Sequence, residues 1–140
     1  MHKALIPTLL LLAMPAYAAD FYICTADKST GFIYKDNEWQ AANFDVNQNR
    51  YLVRKATEDD LHSNVPWLYG EIGQPVLAGE CDEPFVTGLL NCRSAGQDFR
   101  MNTKTMRSQL YYWIGYVASN DTGVRPIDTP FIEIGRCSPL

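Results

Sequence analysis

The chain has 140 residues, with 12 Lys and Arg against 16 Asp and Glu and a formal charge of −4. That length suits one domain, and an apolar content of 46% is enough for a modest core. The mild acidity argues against nucleic acid or anionic membrane as partner, since both demand basic patches.

The chain opens on an export pattern. Lys3 supplies a positive start, Leu5 to Met14 is apolar except for Pro7 and Thr8, and Ala16-Tyr17-Ala18 is a small-x-small cleavage signal. We expect a signal peptide over 1–18, cleaved after Ala18, and one β-rich domain over 19–140. The apolar run is shorter than the about 20 residues of a membrane span, and no later segment approaches that length. No cysteine sits at the cleavage point, so no N-terminal lipid anchor is expected. The mature chain would have 140 − 18 = 122 residues and a balance of 11 − 16 = −5, because the tag holds one basic residue and no acid. Its expected place of work is the periplasm or the cell exterior.

Beyond the tag, short strands alternate with turn clusters. Phe21 to Cys24 begins the first; Lys28-Ser29-Thr30-Gly31 reads as a turn into Phe32-Ile33-Tyr34, and Asp36-Asn37 as a turn into Trp39 through Phe44. Asp45 to Asn49 is polar and turn-forming, and Tyr51 to Arg54 alternates as a half-buried strand should. Thr57 to His62 carries a weak capping box and predicts one helical turn or a loop, stopped by Pro66. Trp67 to Ile72 and Val76 to Cys81 flank Gly73-Gln74-Pro75 as a hairpin. Gly88 to Cys92 and Asp98 to Met101 flank Ala95-Gly96-Gln97, and Asn102 to Thr105 is the next turn. Arg107 to Ala118 is the longest apolar element. Its Tyr, Trp, Ile and Val favour a strand, buried on both faces or bent at Gly115, with a helix as the alternative. Ser119 to Pro130 is a polar loop. Phe131 to Cys137 closes the chain, with Phe131, Glu133, Gly135 and Cys137 on one face and Ile132, Ile134 and Arg136 on the other. The fold class is therefore all-β: a small antiparallel meander of about eight strands closing into a barrel, with a sandwich as the alternative.

Four cysteines in an exported domain predict two disulfides with three possible connectivities. We favour Cys81–Cys92, across the turn-rich segment from Asp82 to Gly88, and Cys24–Cys137, tying first strand to last. The closest cysteine pair is C-x₁₀-C, which fits neither a zinc site nor a C-x-x-C redox motif, so no metal is expected.

The residues for common catalytic mechanisms are missing. His62 is the one histidine after the tag, and its neighbour Ser63 would point away from it on an extended chain. No phosphate-binding glycine loop is present, and no cofactor is expected. Glu58-Asp59-Asp60 and Asp82-Glu83 offer paired acids by count alone, in turn regions where acids are ordinarily solvated. The chain reads as a non-enzyme. Its more suggestive feature is aromatic: Tyr111, Tyr112, Trp113 and Tyr116 share one segment, and Trp39, Trp67 and Tyr69 can join them in a barrel. Trp67, Tyr69, Arg107, Tyr112, Trp113 and Tyr116 are the candidate binding residues, with Arg107 and Arg100 placed to bind a carboxylate or stack on a ring. A packed core is the competing reading of the same aromatics.

Several phrases occur together: an F-x-C with one insertion at Phe21, Tyr22 and Cys24, Leu90-Asn91-Cys92, Phe99-Arg100-Met101-Asn102, Gly115-Tyr116, and Glu133-Ile134-Gly135-Arg136-Cys137-Ser138. The set resembles small exported bacterial proteins of unknown function, which implies a fold and no activity. A weaker likeness is to periplasmic inhibitors of C-type lysozyme. Those are small eight-stranded barrels that present a serine loop and a lysine loop to the enzyme; by that resemblance Ser119-Asn120-Asp121 and Lys104 would take those parts. The expectation is an exported, non-catalytic binding domain acting on a protein or envelope component. An inhibitor of a secreted hydrolase such as lysozyme and a small-molecule carrier are the alternatives. The partner and the oligomeric state are left open.

Overall fold

A computed structural model describes residues 19–75, 77, 79–118 and 129–140. The expected signal peptide and the Ser119-Asn120-Asp121 triplet lie outside the described residues. Among the described residues, nine strands and one short helix follow in chain order: β1 Phe21–Lys35, β2 Glu38–Phe44, β3 Arg50–Lys55, β4 Trp67–Glu71, β5 Gly79–Cys81, β6 Leu89–Ser94, β7 Gln97–Asn102, β8 Arg107–Tyr112, α1 Ile114–Ala118 and β9 Phe131–Pro139. Every neighbouring pair is antiparallel. β1 pairs with both β3 and β9, so eight strands close into a barrel and β2 remains outside the ring. This closure, with no second sheet facing the first, sets the sandwich aside.

The closing seam is the longest ladder between ring strands, running from Tyr22↔Pro139 to Gly31↔Phe131. Cys24 and Cys137 face each other across it and are joined, and Cys81 and Cys92 are joined across β5 and β6 in the same way. Both bridges point inward. They sit in one buried cluster with Tyr22, Val53, Trp67, Leu90, Phe99 and Met101, among others. The alternation expected of β9 is present: Glu133, Gly135 and Cys137 are buried, and Ile132, Ile134 and Arg136 are exposed.

Two expectations change. Lys28 to Gly31 is not a turn, because β1 runs on through it to Lys35 with a register shift between Ala26 and Lys28. The reason is a change of partner. Up to Thr25 one edge of β1 pairs with β3, and from Ser29 onward it pairs with β2, while β9 holds the other edge from Tyr22 to Gly31. The β2–β3 connection kinks over this bulge, and Ala26 N donates to Asn49 O at 3.1 Å. The second change is in Arg107 to Ala118. It is a strand only to Tyr112 and a short helix from Ile114, and Gly115 is buried inside that helix. Elsewhere the turn chemistry holds. Asp36 and Asn37 both take positive φ (54° and 62°), the backbone of a tight β1–β2 hairpin turn, which short polar side chains tolerate. Thr57 to Asp60 forms turns rather than a helix. The Asp60 carboxylate accepts from Thr57 N and both nitrogens of the Arg54 fork, bringing this turn onto the outer wall beside the buried, outward-facing Leu68.

Candidate functional site at the barrel mouth

The barrel has two unlike ends. The closed end carries the described termini and the 56–66, 82–88 and 103–106 connections. At the other end the β4–β5 and β6–β7 turns, the end of β8 and the start of β9 surround an opening. β1 and β2 project beyond it as a hairpin.

Two cavities of about 380 Å³ and about 670 Å³ lie at this mouth. Both are lined by Asn49, Gln97, Phe131 and Glu133, so they meet at these side chains. Glu133 is only 2% exposed. It stands inward on β9 opposite Ser29 of β1 and Leu110 of β8. The Tyr51 hydroxyl donates to its Oε1 at 2.6 Å and Asn49 Nδ2 donates to its Oε2 at 2.9 Å. A buried charge requires such partners, because losing water without replacement costs several kcal/mol (roughly 2–7 even for a neutral polar group). The bond to Asn49 also fastens the kinked β2–β3 connection to the barrel wall.

Tyr69 completes the floor of the smaller cavity. Its ring stacks on Phe99 at 5.0 Å between centroids and lies across Gly79, where a Cβ would fall 1.8 Å from a ring carbon. Only glycine leaves room for the ring at that position. Burial pushes the Tyr69 hydroxyl up to about 12, with Asp98 adding to the effect. Burial, followed by the hydrogen bond and charge of Glu133, holds the Tyr51 phenol still further above its ordinary value. Both phenols are therefore protonated at neutral pH. The larger cavity is bounded by apolar groups, with Phe131 5.9 Å from Tyr112 and 6.4 Å from Phe44 between ring centroids.

The six candidate binding residues do not form one site. Trp67 and Tyr69 are each 3% exposed, with both rings of the W-L-Y spacing on the inner face, where Tyr69 lines the smaller mouth cavity. Trp113 and Tyr116 do come together on the outside, and Tyr112 borders both their groove and the larger mouth cavity. With Phe32, Trp39 and Ile132 they line an apolar groove of about 690 Å³ across β8, β9, β1 and β2. Trp39 and Tyr116 meet edge to face at 5.2 Å. Arg107 is elsewhere. It stands exposed on the outer wall opposite Arg136 and lines a separate groove with Arg100. Arg136 pairs there with Asp27 at 3.0 Å. His62 pairs with Glu80 on the outer wall at 2.8 Å, and Lys104 donates to Val86 O at the closed end at 2.7 Å. Among the described residues no cluster of His, Cys, Asp and Glu could hold a metal, and no helix is long and apolar enough to cross a membrane.

Sequence reasoning passed over Glu133, Asn49 and Gln97. For Glu133 the signal was present: a lone acid in inward register with Cys137, on a face otherwise apolar or glycine. No family profile, curated protein or solved structure matches this chain.

Proposed function

We propose that this chain is a non-catalytic binding domain of an oxidising, extracytoplasmic compartment, and that it holds a small molecule at the barrel mouth. One observation carries the reading: two cavities converge on a buried carboxylate whose orientation is fixed by Tyr51 and Asn49. Their sizes fall within the roughly 300–1,000 Å³ of small-molecule sites. The two disulfides are compatible with the compartment. The reading takes up the small-molecule carrier alternative, with the ligand in the mouth half of the barrel interior.

The test is extraction. Protein purified without denaturant from its own exporting cells should release a stoichiometric small molecule on denaturation, read by mass spectrometry. A Gln97→Trp variant, which fills the junction of the cavities, should release none. Identical extracts from the two proteins would overturn the reading.

A second reading has its own observation. Phe32, Trp113 and Ile132 are each about half exposed beside the outer groove, and clustered apolar surface of this kind suits contact with a protein or envelope component. Phe32→Glu should then abolish recovery of a partner by cross-linking while leaving extraction from the mouth unchanged. The lysozyme-inhibitor reading has less support, because Lys104 is engaged with Val86 O.

A further inference from the structure

We propose that the ligand taken at the mouth is an organic cation, an ammonium or guanidinium group on an apolar or aromatic body, with Glu133 as its counter-charge. This inference rests on reading the mouth as a binding site.

The charge inventory points one way. Among the described lining residues of the two cavities the charged side chains are Glu71 and Glu133, with no Lys, Arg or His. Glu133 accepts one hydrogen bond at each oxygen, both from neutral donors. A carboxylate has about four acceptor positions, so each oxygen keeps one for a ligand. Neutral donors orient the carboxylate and leave its charge uncancelled. Inside a low-dielectric cleft that charge attracts a cation far more strongly than it would in water. A hydrogen bond with ionised donor and acceptor is also roughly twice as strong as a neutral one. An anionic ligand would instead bring a third negative charge beside two.

The adjoining cavity supplies the other half of the match. Ile33, Phe44, Tyr112 and Phe131 form an apolar sleeve directly beside the carboxylate. It would cover a ligand's hydrocarbon part, and its ring faces are themselves attractive to a cation.

The experiment compares three probes of one skeleton: 2-phenylethylammonium, 2-phenylethanol and 3-phenylpropionate. They are titrated into the folded, disulfide-bonded protein by calorimetry at fixed ionic strength, and saturation-transfer NMR reads which probe protons touch protein. The ammonium should bind at least about tenfold tighter than the alcohol, and the carboxylate not measurably. Glu133→Gln should erase this preference, while Glu71→Gln, at the exposed rim, should only weaken it. The circular dichroism spectrum and absence of free thiols verify the fold of each variant, and if Glu133→Gln does not fold the wild-type ranking decides alone. An alcohol or carboxylate that binds wild type as well as the ammonium overturns the charge assignment and leaves the mouth standing as a binding site. Failure of all three probes to bind also overturns it. The extraction experiment uses no chosen probe, so it judges the mouth separately.

Discussion

At the closed end of the barrel the inward positions of β1, β6, β7 and β9 carry Cys24, Leu90, Met101 and Cys137, all buried and apolar. Toward the mouth the inward positions of the same four strands carry Ser29, Ser94, Gln97 and Glu133. The backbone ladders continue through both halves, so the difference is one of filling. Large apolar side chains and two bridges pack the lower half. Small or polar ones leave volume in the upper half, where Glu133 is held by Tyr51 and Asn49 and Gln97 accepts from the Tyr69 hydroxyl. An eight-stranded barrel has just enough interior for side chains to fill it or for one small ligand to occupy it. This chain divides that interior along its length.

Opening a disulfide of the packed half should have the largest effect. Cys24–Cys137 spans 113 residues and Cys81–Cys92 spans 11. Loop entropy gives losses of about 5 and about 3 kcal/mol for the respective paired Cys→Ser variants. Urea unfolding should show that order, with probe binding at the mouth retained by the second variant while it stays folded. The next largest effect is alkaline. Tyr51 and Tyr69 have folded pKa values above the ordinary 10.0, with Tyr69 at about 12. A raised tyrosine pKa leaves stability untouched below the unfolded value and erodes it above, because the unfolded chain releases its proton first. Stability should therefore be flat up to pH 10. It should then fall by about 1.4 kcal/mol per pH unit for each of these tyrosines as the pH rises toward 12. Absorbance at 295 nm should show at least two phenols titrating late or only on unfolding. Loss of stability already at pH 9 would contradict the enclosed floor of the mouth.

Much of the packed half was legible in the sequence, and little of the mouth was. The inner face of β9 could be read directly, since Phe131, Glu133, Gly135 and Cys137 alternate without interruption, and the bridge pairing followed from which strands a closed meander brings side by side. Lys28 to Gly31 misled because its composition is that of a turn. Ladders on both edges of β1 override that local preference. The helix after Tyr112 was hidden for a similar reason. Trp113 N donates to Gly96 O at 3.2 Å, and a Cβ on Gly96 would fall 2.4 Å from Ile114 Cγ2, so the start of α1 is set against a distant turn. No local periodicity carries that contact. Asn49 and Gln97 looked like ordinary turn residues because what distinguishes them is the strand that stands opposite. Glu133 differs from these two: its inward register was visible, and a buried acid is unusual enough to have marked the site.

Two buried aromatic side chains, one in each half, allow a finer test. At the mouth the Tyr51 hydroxyl has a charged acceptor at 2.6 Å. Tyr51→Phe should cost about 2 kcal/mol, since hydrogen bonds to charged groups contribute roughly 1.5–3. In the packed half Trp67 Nε1 is buried with no hydrogen-bond partner, while its ring packs against Tyr22 at 6.0 Å and Lys55 Nζ at 5.8 Å. An unsatisfied buried donor costs about 1–3 kcal/mol. Trp67→Phe removes that penalty and loses part of the ring's packing, which is worth a similar amount. The two changes oppose each other, so the net effect should lie within about 1 kcal/mol of zero despite the larger change in volume. Measured by the same denaturant titration, Tyr51→Phe should therefore be the more damaging substitution although it deletes a single oxygen. The reverse order would mean that packing, and not the satisfaction of polar atoms, governs stability at the mouth as it does below.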